Sequence, residues 1–293
     1  MHSRGSEICY PPSRGGCRWH SGSHGVAWVV VADPRGQSGR PLLSVRGVSL
    51  SFGSIIALDD ISFDVAAGQI RGLIGPNGAG KTTLFNCLSR LYDVDRGAID
   101  LEGRSLLAQP RHAIARSGIG RTFQNLALFD TMSVLDNVLV GRHGCSRGGF
   151  LVDTLRLPRS GREERRSCSK VQGLLERLDL TGAARMPVGG LPFAVKKRVE
   201  LARALAGEPK LLLLDEPAGG LNHEEVERLG DLIRALCDDL GLAILLVEHH
   251  LNLVMRVSDR VVALDFGHVI AEGTPAEMRR NPEVVRAYLG ASA

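Results

Sequence analysis

The feature that most constrains this chain is the stretch Gly75-Pro76-Asn77-Gly78-Ala79-Gly80-Lys81-Thr82, followed by Thr83. It fits the pattern GxxxxGK[ST]. Glycines at 75, 78 and 80 let the backbone wrap a phosphate and turn successive N–H groups inward. The apolar run 70–74 just upstream reads as a buried strand, and residues 82–91 read as the helix that follows, whose positive dipole end adds to the anion site. In such a loop Lys81 reaches the β- and γ-phosphates, and the Thr82 hydroxyl is placed for Mg²⁺.

A strand–loop–helix unit of this kind needs a parallel sheet around it. Alternating apolar runs supply the candidates. Residues 42–50, 61–65, 98–101, 211–214, 243–247 and 261–264 read as strands, and 163–178, 196–206 and 224–240 as amphipathic helices. A helical stretch starting at 136 is broken by the Gly-, Arg- and Pro-rich segment 141–162. The run Leu211-Leu212-Leu213-Leu214 is apolar at every position, as in a strand buried on both faces, and ends in Asp215-Glu216. Two carboxylates at the end of such a strand suit a Mg²⁺ site (Asp215) and a general base or water-orienting group (Glu216). The fold class is therefore α/β, with a largely parallel core sheet.

Composition narrows the class further. The chain has 293 residues, a formal net charge of +4, and 44% apolar and 23% charged residues. That charge is too small to argue for nucleic acid. No apolar run approaches the roughly 20 residues a membrane helix needs, so any membrane contact is expected from the surface. Residues 1–40 are rich in Gly, Ser, Arg and Pro without periodicity and read as disordered or as a start-site extension. A basic cluster at 141–170 reads as a solvated surface or as a patch facing anionic lipid. The cysteines show no CxxC pair, which fits a reduced, cytosolic chain. Cys9 and Cys17 near His20 and His24 leave a remote metal-site alternative.

Taken in order, these motifs resemble the ATPase subunit of an ABC transporter over residues of about 42–291. The resemblance adds roles that no single residue reveals. Phe52 stands where the family stacks an aromatic on adenine. Gln124, within Arg121-Thr122-Phe123-Gln124-Asn125, matches the Q-loop glutamine that senses Mg²⁺ and couples to the membrane subunit. Ala218-Gly219-Gly220-Leu221-Asn222 matches the D-loop, with Asn222 where Asp is commoner, and His249 matches the switch histidine that contacts the γ-phosphate. The family's LSGGQ signature is replaced by Leu191-Pro192-Phe193-Ala194-Val195, which lacks the serine hydroxyl and has Ala194 in place of a glycine.

The resemblance implies a P-loop NTPase (RecA-like) core, an antiparallel β subdomain and a helical subdomain at about 125–192. It implies ATP and Mg²⁺ as ligands. Glu216, His249 and Gln124 would be catalytic; Phe52 and Gly75 through Thr83 would hold nucleotide; Thr82, Gln124 and Asp215 would hold the metal. It further implies integral permease subunits, a second ABC ATPase subunit (self or paralogue), indirectly a solute-binding protein, and a peripheral place on the cytoplasmic face of the membrane. Within the family, residues 120–138, the long basic insertion at 141–170 and the ending from Phe266 to Gly290 look most like branched-chain amino acid importers. Importers of urea, amides or other amino acids, an exporter ATPase, a soluble ABC ATPase and a non-hydrolysing switch stay open at this point.

Overall fold

The structure is a computed structural model and describes residues 40–123, 126–143 and 158–290. Residues 1–39 of the expected unstructured segment 1–40 with its Cys/His alternative, residues 144–157 of the basic segment 141–170, and Gln124 lie outside the described residues.

Two sheets organise the chain. The strands β1 (Leu43–Phe52), β2 (Ile55–Val65), β4 (Arg96–Leu101) and β5 (Arg104–Ser105) form an antiparallel sheet in the order β2-β1-β4-β5. The second sheet has the order β10-β9-β3-β8-β7-β6. In it β3 (Ile70–Ile74), β6 (Ile119–Arg121), β7 (Leu211–Asp215), β8 (Ala243–Val247) and β9 (Arg260–Asp265) pair in parallel, and β10 (His268–Gly273) runs antiparallel to β9.

The central strands are buried on both faces, and side-chain alternation divides their residues between two cores. Leu212 and Leu214 of β7 join one apolar cluster; Leu211 and Leu213 join the other. The first cluster lies under helices α4 (Phe193–Leu205), α5 (His223–Leu240) and α6 (Leu251–Val257). It continues into α2 (Val134–His143) and α3 (Pro158–Arg177) through Val134, Val138, Val171 and Leu175. The second joins the antiparallel sheet to α1 (Lys81–Leu88) through Leu84, Phe85, Cys87 and Leu88. Short helices α7 (Pro275–Met278) and α8 (Pro282–Gly290) close the chain.

Several elements differ from the sequence expectation. The first strand pair is longer than the apolar runs, because the strands join through a tight turn and pair out to Phe52 and Ile55. Helix α1 stops at Leu88, not at 91, because Ser89 caps it and Arg90 enters the left-handed region at φ 59°. Strands β6 and β10 and helix α6 are absent from the expectation. β6 has only three residues, too few for a periodic signal, and exists because Ile119 pairs with Leu211.

One glycine shows how closely the layers approach. A Cβ on Gly72 of β3 would lie 2.4 Å from Cγ1 of Val254 on α6, so only glycine lets that helix reach the sheet. Among the described residues, no helix is long and apolar enough to cross a membrane.

Candidate nucleotide site

The glycine loop joins β3 to α1. Gly78 and Gly80 take φ of 82° and 97°, which side-chain-bearing residues adopt rarely. Gly80 is the N-cap of α1 and offers no side-chain cap, so the first N–H groups of the helix are left for an anion. Asn77 and Gly78 are exposed, whereas Gly75, Ala79 and Lys81 are buried and Pro76 is half-buried. Lys81 Nζ donates to the carbonyls of Gly75 (2.6 Å) and Pro76 (2.8 Å), which holds the ammonium against the loop. Burial lowers its pKa, opposed by the charges of Glu216 and Asp215. Thr82 is exposed on the first turn of α1, with Thr83 partly covered beside it.

The carboxylates at the end of β7 have separate surroundings. Asp215 is buried, and its Oδ2 accepts from Arg121 Nη2 at 3.1 Å. Burial raises its pKa, and Arg121 opposes that shift. Its Oδ1 is buried without a hydrogen-bond partner. A buried carboxylate oxygen with no donor is fitted to a cation or its bound water. Among the described residues no group of three or more His, Cys, Asp or Glu could hold a metal ion. A Mg²⁺ at Asp215 would therefore take most of its oxygen ligands from phosphates and water, as is usual for that ion.

Glu216 and His249 come from the ends of adjacent parallel strands, with Asp215 of β7 paired to Val247 of β8. Glu216 Oε1 lies 2.6 Å from His249 Nε2. Glu216 has φ 49° and donates its N–H to Val247 O at 2.9 Å. A non-glycine residue held there costs of order 1–3 kcal/mol and is common at functional sites. Phe52 is 47% exposed, and its ring meets that of Tyr92 in a T-shaped contact with centroids 5.3 Å apart.

Residues that motif reading passed over tie these loops together. Arg121 donates to Phe85 O, Asn86 Oδ1 and Ser89 Oγ at the end of α1 as well as to Asp215, and its guanidinium stacks over Phe85 and Phe123. Glu200 of α4 accepts from Phe123 N at 3.0 Å, beside position 124. Glu248 is buried and accepts from the N–H groups of Ala218 (2.6 Å), His249 and His250, joining the 218–222 turn to the histidine. Both Glu200 and Glu248 are pushed to raised pKa by burial. The available signal was a charged residue set against an apolar run, which does not by itself say what it faces.

The altered signature segment ends in α4, with Pro192 at its N-cap and no side-chain cap. Phe193 packs on the 218–222 turn: a Cβ on Gly220 would lie 2.8 Å from its ring. Asn222 caps α5. Its side chain accepts from Glu225 N while Glu225 Oε2 accepts from Asn222 N, the reciprocal capping box.

A glycine loop at the head of a parallel sheet, with an acid pair and a histidine on the neighbouring strands, defines an ATPase of the P-loop class. Residues 58–219 match the family model described as ABC transporter, and the chain belongs to that family. Residues 268–293 match a second model, described as branched-chain amino acid ATP-binding cassette transporter. The chain is 41% identical over 251 residues to the high-affinity branched-chain amino acid transport ATP-binding protein BraF of Pseudomonas aeruginosa, covering 86% of this chain and 98% of that one. It is 40% identical over 251 residues to LivG of Escherichia coli, a protein of the same description, with the same coverage. The crystal structure of the ADP conformation of MJ1267, an ATP-binding cassette of an ABC transporter, superposes with a TM-score of 0.74 at 28% identity, over 86% of this chain and all of that one.

Proposed function

We propose that this chain is the ATP-hydrolysing subunit of an importer for branched-chain or related amino acids. The match of its last 26 residues, 268–293, to the branched-chain model carries the solute assignment. The likeness to BraF and LivG over almost their whole length supports it. The soluble, exporter and non-hydrolysing alternatives have no comparable support.

In this reading two cassettes close on two ATP molecules, each held by Gly75 through Thr83 of one subunit and by the 191–195 segment of the other. Phe52 stacks on adenine. Lys81 and the N–H groups at the start of α1 hold the phosphates. Thr82, Asp215 and Gln124 would hold Mg²⁺, which when bound neutralises phosphate charge. Glu216 accepts the proton of the attacking water, and His249, released from Glu216, donates to the γ-phosphate. Closure reaches integral permease subunits through the Gln124 segment and the helical subdomain of about 125–192. The chain itself lies at the cytoplasmic face.

Pro192 and Ala194 leave only backbone donors in the 191–195 segment, so the chain pairs with a paralogue carrying the fuller signature. Purified chain alone that hydrolyses ATP as fast as the paired assembly would sink this part. The whole reading is tested by reconstituting the chain with its permease subunits, partner ATPase and solute-binding protein in vesicles. ATP-driven leucine uptake is expected; uptake confined to urea or amides would overturn the solute assignment.

A further inference from the structure

The chain's C-terminal helix reaches the phosphate loop. Gly75, the first residue of the loop, is buried, and its N–H lies beyond the last β3–β9 pair, Ile74 with Ala263. A buried N–H without a partner costs about 1–3 kcal/mol. Its partner here is the hydroxyl of Tyr288, which accepts at 2.8 Å from 213 residues further along the chain.

The geometry leaves this residue little freedom. The carbonyl of the same Gly75 accepts from Lys81 Nζ at 2.6 Å. A Cβ at Gly75 would lie 2.2 Å from the carbonyl oxygen of Leu264, so the backbone is wedged against β9. Tyr288 is aimed by its own helix. Asn281 Oδ1 caps α8 by accepting from Glu283 N (2.8 Å) and Val284 N (3.4 Å). Val284 is buried in the larger core, and Tyr288, one turn on at i+4, packs on the same cluster and presents its hydroxyl to Gly75.

We propose that Tyr288 is a positioning residue for nucleotide: through Gly75 it fixes the first peptide of the phosphate loop, and with it the carbonyl that tethers Lys81. α8 is thus a brace for the ATP site, and the subfamily-type ending of the chain has a role in ATP binding. The proposal rests on loop 75–83 being the nucleotide loop.

The test uses the full chain with a fluorescent N-methylanthraniloyl ATP as probe. Tyr288→Phe keeps the ring and removes only the hydroxyl. Its dissociation constant and its KM for ATP are expected to rise about 3- to 10-fold, the range set by one lost hydrogen bond, with kcat unchanged. Val284→Ala loosens the helix but keeps the hydroxyl, and is expected to lower the melting temperature with a smaller change in affinity. Unchanged affinity in Tyr288→Phe, or an equal loss in Val284→Ala, overturns the role of the hydroxyl. Lys81→Ala is expected to abolish probe binding; binding retained there would overturn the loop assignment itself.

Discussion

Glu216 and His249 face each other at 2.6 Å, Oε1 to Nε2, each at the end of its own strand. The contact follows from β7 and β8 being parallel neighbours, which delivers the two chain ends to the same edge of the sheet. The contact is a close approach of imidazole to carboxylate, an ion pair whenever the ring is protonated. The pair holds the two candidate catalytic side chains together, with Glu216 near Lys81 of the glycine loop.

If Glu216 takes the proton of the attacking water, Glu216→Gln loses that function and keeps its shape. Phosphate release is expected to fall by at least about 100-fold, in keeping with the usual worth of a general base. Nucleotide binding should persist and the dimer should stay closed, visible as an ATP-dependent shift in size-exclusion chromatography. Undiminished turnover would remove Glu216 from the role.

Arg121 and Asp215 form a buried pair, with side chains 9% and 3% exposed. Removing one partner strands the other charge in a poorly solvated place. Arg121→Met should destabilise the chain by about 3–5 kcal/mol, read by urea unfolding, since breaking such a pair leaves a buried charge uncompensated. A loss below about 1 kcal/mol would mean that Asp215 is better solvated than its surroundings indicate.

Glu248 is held at a raised pKa by burial, against three backbone N–H groups that lower it. The folded chain therefore keeps this proton to higher pH than the unfolded chain, whose glutamates titrate near about 4.3. The stability Glu248 contributes is complete below that value and is lost as pH rises through the raised one. Glu248→Gln cannot titrate. Its stability relative to the native chain should thus increase with pH from about 4.3 upward and then level off. A difference that is flat across this range in chemical denaturation, or that falls, would contradict the assignment.

Gly72→Ala places a methyl 2.4 Å from Val254 and should destabilise by about 1–3 kcal/mol through overpacking. Adding Val254→Ala opens the space and should recover part of the loss in the thermal midpoint. A double variant no better than the sum of its parts would place the strain elsewhere.

Much of the site was legible in residue order because its chemistry depends on local backbone. The loop 75–83 needs its glycines at fixed offsets, and Asp215-Glu216 follows a run apolar at every position. Strand and helix positions around them emerged from the same local patterns. β6 and the extended ends of β1 and β2 did not, because pairing partners made them and intrinsic preference did not.

The sequence by itself determined an α/β chain with a phosphate-binding loop and singled out candidate site residues, because glycine spacing and apolar periodicity are local properties; the order of its motifs carried the resemblance to the ABC family. Only the tertiary structure decided which groups meet. Glu216 finds His249 across two strands, Arg121 finds Asp215, Glu248 joins the 218–222 turn to the histidine, and Tyr288 closes on Gly75. These partners are far apart along the chain, and their contacts exist because burial in a common core pays the entropy of bringing distant segments together.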